Sequence, residues 1–256
     1  MDPSLINANL IQLIELRIAE LRKGNVHPKH VLDLARMFRR LGCGELLSGN
    51  DAGTFFFCLF RAADTYLQFL ERKHSWSDLD PYYMARGRAE PLLDALALGD
   101  VALAQRIDAL AETTWREGME YEEDFWFFLL LPKLASPTSD AQSLLDGLRQ
   151  MEQALQGITY PRYDVLKALL HGDVSGFEQG LEALTDAWAA EMEREGGSGM
   201  GNPYALSTEA EVFVEGVALV RVARIRGLSI RSEYRLVPAS SLSTPPEGLQ
   251  RQPLWT

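Results

Sequence analysis

The chain has 256 residues, 46% of them apolar, and a formal charge of −11 with a pI near 4.9. That apolar share supports a substantial core, and the acidic balance argues against nucleic acid as a direct partner, since phosphate contacts need lysine and arginine. Cys43 and Cys58 lack metal-type spacing, no basic region precedes an apolar run at the N-terminus, and the longest apolar run, 125–131, is far short of the ~20 residues of a membrane span. A reduced, cytoplasmic protein is expected.

Residues 5–21 read as a helix with Ile6, Leu10, Leu13, Ile14, Ile18 and Leu21 on one stripe, stopped by Gly24 and Asn25. Pro28 suits a first helical position, and Val31, Leu34, Ala35, Phe38 and Leu41 form the next stripe, with Gly42 and Gly44 ending it. Asp51 is a cap for a third helix to about Arg72. Asp80-Pro81 opens a short or kinked helix, because Gly87 and Pro91 interrupt the pattern before Leu98. An acidic–aromatic helix over 117–131 is closed by Pro132, and Leu144, Leu145, Leu148, Met151 and Leu155 continue at helical spacing. Residues 160–171 make a short helix, and Phe177, Leu181, Leu184 and Trp188 line a long one to about Glu195. The glycine-rich stretch 196–203 is the clearest loop. Thr208 with Glu211 has capping-box spacing and opens a helix ended by Gly227, and 229–237 alternates weakly as an extended piece.

Two stretches share a turn: residues 95–101 read ALALGDV and residues 168–174 read ALLHGDV. Glycine tolerates the left-handed conformation that ends a helix, and aspartate accepts hydrogen bonds from the free N–H groups that begin the next. Each copy predicts a tight helical hairpin. With no strand-pairing signal, the chain reads as an all-α array of about ten helices built from stacked hairpins, with a short extended C-terminal segment. A single domain is expected over 1–238, and 239–256, rich in Ser, Pro and Gln, is expected to be a flexible tail whose Leu254 and Trp255 could dock back.

The strongest candidate surface is acidic. Asp108, Glu112, Glu117, Glu120, Glu122, Glu123 and Asp124 stand against the single Arg116. On a helix Glu117, Glu120 and Asp124 share one side, and Tyr121, Phe125 and Phe128 the neighbouring one. Such a face could hold a basic partner, with Tyr121 and Trp115 as aromatic anchors. The plainer reading is that first-turn acids complement a helix dipole while 125–131 is core; the aromatic run is expected to be core and the acids to bind a partner. Glu182, Asp186, Glu191, Glu193 and Glu195 form a second acidic cluster.

Other chemistry has fewer parts. Di-metal helical bundles need two Glu-x-x-His pairs, and only Glu71 with His74 has that spacing. His27, His30 and Asp33 are spaced for a mononuclear site, but His27 precedes its helix and a solvent-facing trio is expected. The glycine stretch lacks a preceding strand and a following Lys-Ser or Lys-Thr, so it has no phosphate-binding parts. No nucleophile elbow is present, and neither catalysis nor a metal or cofactor is expected. Arg221, Arg224, Arg226, Arg231 and Arg235 form either a solvated edge or internal partners for the acidic helices, the second being preferred.

Residues 214–238, VEGVALVRVARIRGLSIRSEYRLVP, carry a family likeness. A helix of small and apolar residues, the turn Ala223-Arg224-Ile225-Arg226-Gly227-Leu228 and a short extended piece reaching Pro238 resemble the closing segment of the immunity protein 49 family. The resemblance implies a cytoplasmic bacterial antitoxin encoded beside a polymorphic toxin, often a nuclease delivered by a secretion system such as type VI, and it implies no catalytic residues. Joined to the charge, it predicts an inhibitor that occludes a basic toxin groove, with Glu117, Glu120, Tyr121, Glu123, Asp124 and Trp115 at the contact. A helical-repeat adaptor or secretion chaperone is the alternative, and an all-α metal-dependent enzyme a third.

Overall fold

Aspartate side chains begin helix after helix: Asp51 accepts from the Thr54 N–H, Asp100 from Leu103, Asp140 from Ser143 and Asp173 from Gly176. The structure is a computed structural model that describes residues 3–24 and 26–254. Its helices are α1 (Pro3–Arg22), α2 (Pro28–Gly49), α3 (Ala52–Arg72), α4 (Pro81–Met84), α5 (Pro91–Leu98), α6 (Val101–Leu110), α7 (Glu122–Ala135), α8 (Ala141–Leu155), α9 (Pro161–His171), α10 (Val174–Ser198), α11 (Pro203–Leu206) and α12 (Val214–Ile225). Two 3₁₀ turns, Lys73–Ser75 and Arg86–Arg88, lie between helices, and a third, Ala239–Leu242, follows α12. The fold is all-α. Among the described residues there is no strand, and the extended piece before Pro238 reduces to one isolated antiparallel bridge between Tyr234 and Val237. No described helix is long and apolar enough to cross a membrane.

Helix pairs α1–α2, α2–α3, α5–α6, α7–α8 and α9–α10 pack as neighbours, and α5 lies at the centre against α3 and α12. All eight residues of α5 are buried. Both Gly-Asp-Val turns form as expected, with Gly99 at φ 83° and Gly172 at φ 70° ending α5 and α9.

Five local expectations give way to packing. Gly42 and Gly44 do not end α2; a Cβ at Gly42 would lie 2.8 Å from the Cys58 Cβ, so glycine there lets α2 and α3 approach closely. Pro132 does not close α7, which runs on to Ala135. Proline leaves the Phe128 carbonyl without its helical donor, and the Arg86 guanidinium supplies one at 3.2 Å. The glycine stretch is partly helical, since α10 reaches Ser198. Thr208 bonds back to the Tyr204 carbonyl instead of capping, so α12 begins only at Val214. Residues 117–121 precede α7 rather than belonging to it.

The residues after 238 lie against α1 and α3. Arg251 donates to Asp64 at 2.6 Å and Glu71 at 2.8 Å, the Leu254 N–H donates to Gln68, and Leu254 is buried. Asn25 and Trp255 lie outside the described residues.

Candidate functional site: an acidic loop beside a charged cleft

The acidic stretch is organised by two arginines of the 3₁₀ turn Arg86–Arg88. Arg86 is 1% exposed and donates to the Asp108 carboxylate at 2.5 Å, to the Asp108 and Glu112 carbonyls, and to Phe128. Arg88 reaches the Met119 carbonyl and stacks on the Tyr82 ring. The Gly87 N–H between them donates to Glu120 at 2.5 Å. These contacts give the backbone of 112–121 tertiary partners, which explains how it holds a shape without being a helix.

That shape divides the six candidate residues. Glu117 and Tyr121 face solvent, with Tyr121 74% exposed. Glu123 is half-exposed and has no ion-pair partner among the described residues. Glu120 turns inward onto Gly87; burial pushes its carboxyl pKa up, opposed by hydrogen bonds from the Gly87 and Arg86 backbone. Asp124 accepts from Arg162 and Tyr160, each at 2.5 Å. Trp115 donates its indole N–H to the Glu120 carbonyl. Glu117, Glu120 and Asp124 therefore do not share one helix face, because the helix starts after two of the three. The aromatic run is core: Phe125, Phe127 and Phe128 are buried.

Asp124 and Gly87 also stand on the wall of a cleft of about 750 Å³ between α2, α7 and α10. Four arginines and six carboxylates line it. Arg39 donates two hydrogen bonds to Asp94, at 2.6 and 2.8 Å, and a third to Glu90. Arg36 grips Glu90 through two more, and Arg40 holds Glu209 at 2.6 Å. Across the cleft Arg162 takes Glu215 by the same paired geometry, at 2.6 and 2.7 Å. Burial pushes the Asp94 carboxyl up to about 6 against the pull of Arg39. Burial acts on Glu90 too, but Arg36 and then Arg39 hold it down at about 2. Trp188, Phe213 and Met192 add apolar wall, and the side chain of Met200 is 88% exposed where the cleft opens.

This network was missed in the sequence, although two signals point to it. Asp94 is the one acid inside the apolar run PLLDALAL, and Arg36, Arg39 and Arg40 recur at helical spacing on α2. The C-terminal arginines divide as well. Arg231 and Arg235 pair with Glu178 and Asp186 of α10, whereas among the described residues Arg221 and Arg224 hydrogen-bond only to backbone carbonyls. Of the histidines, His27 accepts from the Lys29 N–H to cap α2, and no group of three or more metal-ligating side chains is gathered among the described residues.

An all-helical chain with an acidic, aromatic-tipped loop beside a charged cleft is the kind of fold that offers surfaces for binding another protein. The family model described as Immunity protein 49 matches residues 9–240, and the chain belongs to that family. Membership makes it an immunity protein, one that acts against a toxin. Comparison with curated proteins and with solved structures finds no match.

Proposed function

We propose that the protein neutralises its cognate toxin in the cytoplasm by binding it through the acidic loop around Glu117, Tyr121 and Glu123, with the neighbouring cleft as part of the same surface. The toxin on this reading is basic, a nuclease of a type VI or similar secretion system whose substrate groove the acidic face fills. The observation that carries the proposal is Tyr121: a large aromatic side chain 74% exposed, flanked by Glu117 and Glu123, which form no ion pair among the described residues. Exposed aromatics in such settings are the usual anchors of interfaces. Trp115, Glu120 and Asp124 serve behind that face by holding the loop in place.

The test uses three changes that spare the supporting contacts. The triple variant Glu117→Lys, Tyr121→Ala and Glu123→Lys should keep its helical circular dichroism. It should weaken binding to the purified neighbouring-gene toxin by roughly 100-fold or more and lose protection on co-expression. Parent-like affinity would falsify the acidic-loop contact. Toxin binding by the parent protein without survival on co-expression would favour an adaptor that carries the effector without inhibiting it.

A further inference from the structure

A second pocket lies at the C-terminal end of α12, and no residue of the acidic loop lines it. It is open, about 630 Å³, and its apolar walls are Phe60, Leu98, Ile225, Leu249, Pro245 and Pro246. Arg221 and Arg224 reach into its lining one helical turn apart. Asp100 also lines it, but its carboxylate is engaged in capping α6 at 2.9 Å and pairs with neither arginine among the described residues.

The donor count is what sets this pocket apart. Each guanidinium has five N–H donors. Arg221 spends Nε on the Ala97 carbonyl and Nη2 on those of Ser241 and Ser243, leaving Nη1. Arg224 spends only Nη1, on Leu242, and leaves Nε and Nη2. That free pair is the edge by which this protein holds carboxylates elsewhere: Arg39 takes Asp94, Arg162 takes Glu215 and Arg36 takes Glu90 through Nε and Nη2. Arg224 offers the same fork with no acid in it among the described residues, in a chain whose acids outnumber its bases by 36 to 25. Burial and then the neighbouring Arg224 lower Arg221 to about 10, as expected where two like charges face each other without a counterion. The carbonyl ends of α5 and α12 offset part of that charge but supply no carboxylate.

We propose that this pocket is a binding site for a carboxylate joined to an apolar group, the anion taken by the free Nε–Nη2 edge of Arg224 with Arg221 beside it and the apolar group laid against Phe60, Ile225 and Leu249. The source is either a free acyl acid or the C-terminal carboxylate of a polypeptide. The site is independent of the acidic loop and of what that loop binds.

Full-length protein is titrated with octanoate against octanamide, and with N-acetyl-leucine against N-acetyl-leucinamide, while the Ile225 methyl and Arg224 Nε–H resonances are followed. At least one acid should bind about tenfold more tightly than its amide and move both resonances. A response to octanoate alone identifies a free acid, and a response to N-acetyl-leucine identifies a chain terminus. Arg224→Gln should weaken the acid about tenfold, and Arg226→Gln, which removes a nearby charge outside the pocket, should leave it within about twofold. Three results would overturn the site: acid and amide binding alike, no shift with either acid at about 20 mM, or Arg226→Gln weakening the acid as much as Arg224→Gln.

Discussion

The two Gly-Asp-Val hairpins use one local design in two different surroundings. Each has a helix opened by proline, an Ala-Leu pair, a left-handed glycine and an aspartate that caps the next helix. Yet α5 is buried along its whole length, whereas α9 buries only Val165, Leu166, Ala168 and Leu169. Five residues before the glycine, α5 carries Asp94, fully buried and forked by Arg39; α9 carries Lys167, exposed and lying over the Tyr163 ring. The same turn therefore serves a central strut and a peripheral one. Turn chemistry is settled within a few residues, and burial by what the rest of the chain stacks on top.

Three pairs of substitutions test how far that separation holds. The largest effect is expected at the position where the hairpins differ most. Asp94→Ala leaves the Arg39 guanidinium buried with a smaller share of carboxylate and should cost about 3 kcal/mol, while Lys167→Ala should stay within about 0.5 kcal/mol. Urea midpoints of the two variants check this, and similar losses would dissolve the distinction. Next come the glycines. A Cβ at Gly99 would meet only the Arg221 Cδ at 3.9 Å, and one at Gly172 would meet nothing. Gly99→Ala and Gly172→Ala should therefore each cost about 1 kcal/mol, purely from the left-handed backbone. A much larger loss at Gly99 would show that the core reaches into the turn. The smallest effects belong to the caps: Asp100→Ala and Asp173→Ala should each lower stability by about 1 kcal/mol or a little less. Thermal midpoints compared at constant pH would reveal any inequality between them.

Where a feature depends on neighbours within one turn, it could be read directly. The helix-capping aspartates, the proline starts of α2 and α4, both Gly-Asp-Val turns and the apolar stripes all fall in this class, as does the likeness of 214–238 to its family. The features misread share the opposite property. Gly42 looks like a stop but is a contact point for α3; Pro132 looks like a stop but is tolerated because Arg86, 46 residues earlier in the chain, takes the freed carbonyl. The candidate site was half legible. Glu117, Tyr121 and Glu123 could be found from charge and aromaticity, but nothing local says that Glu120 turns back to Gly87 or that Asp124 belongs to Arg162.

Sequence alone determined the all-α class, the positions of most helices, the acidic balance and the immunity family, because each rests on periodicity, composition or a contiguous motif. Only the tertiary structure decided which acids face outward and which arginines lack a carboxylate. A charged side chain's role depends on the partner it meets, and here the decisive partners, Arg86 for Asp108, Arg39 for Asp94 and Arg162 for Asp124, are 22 to 55 residues away along the chain. No local pattern encodes such distances; they follow from packing the helices around α5.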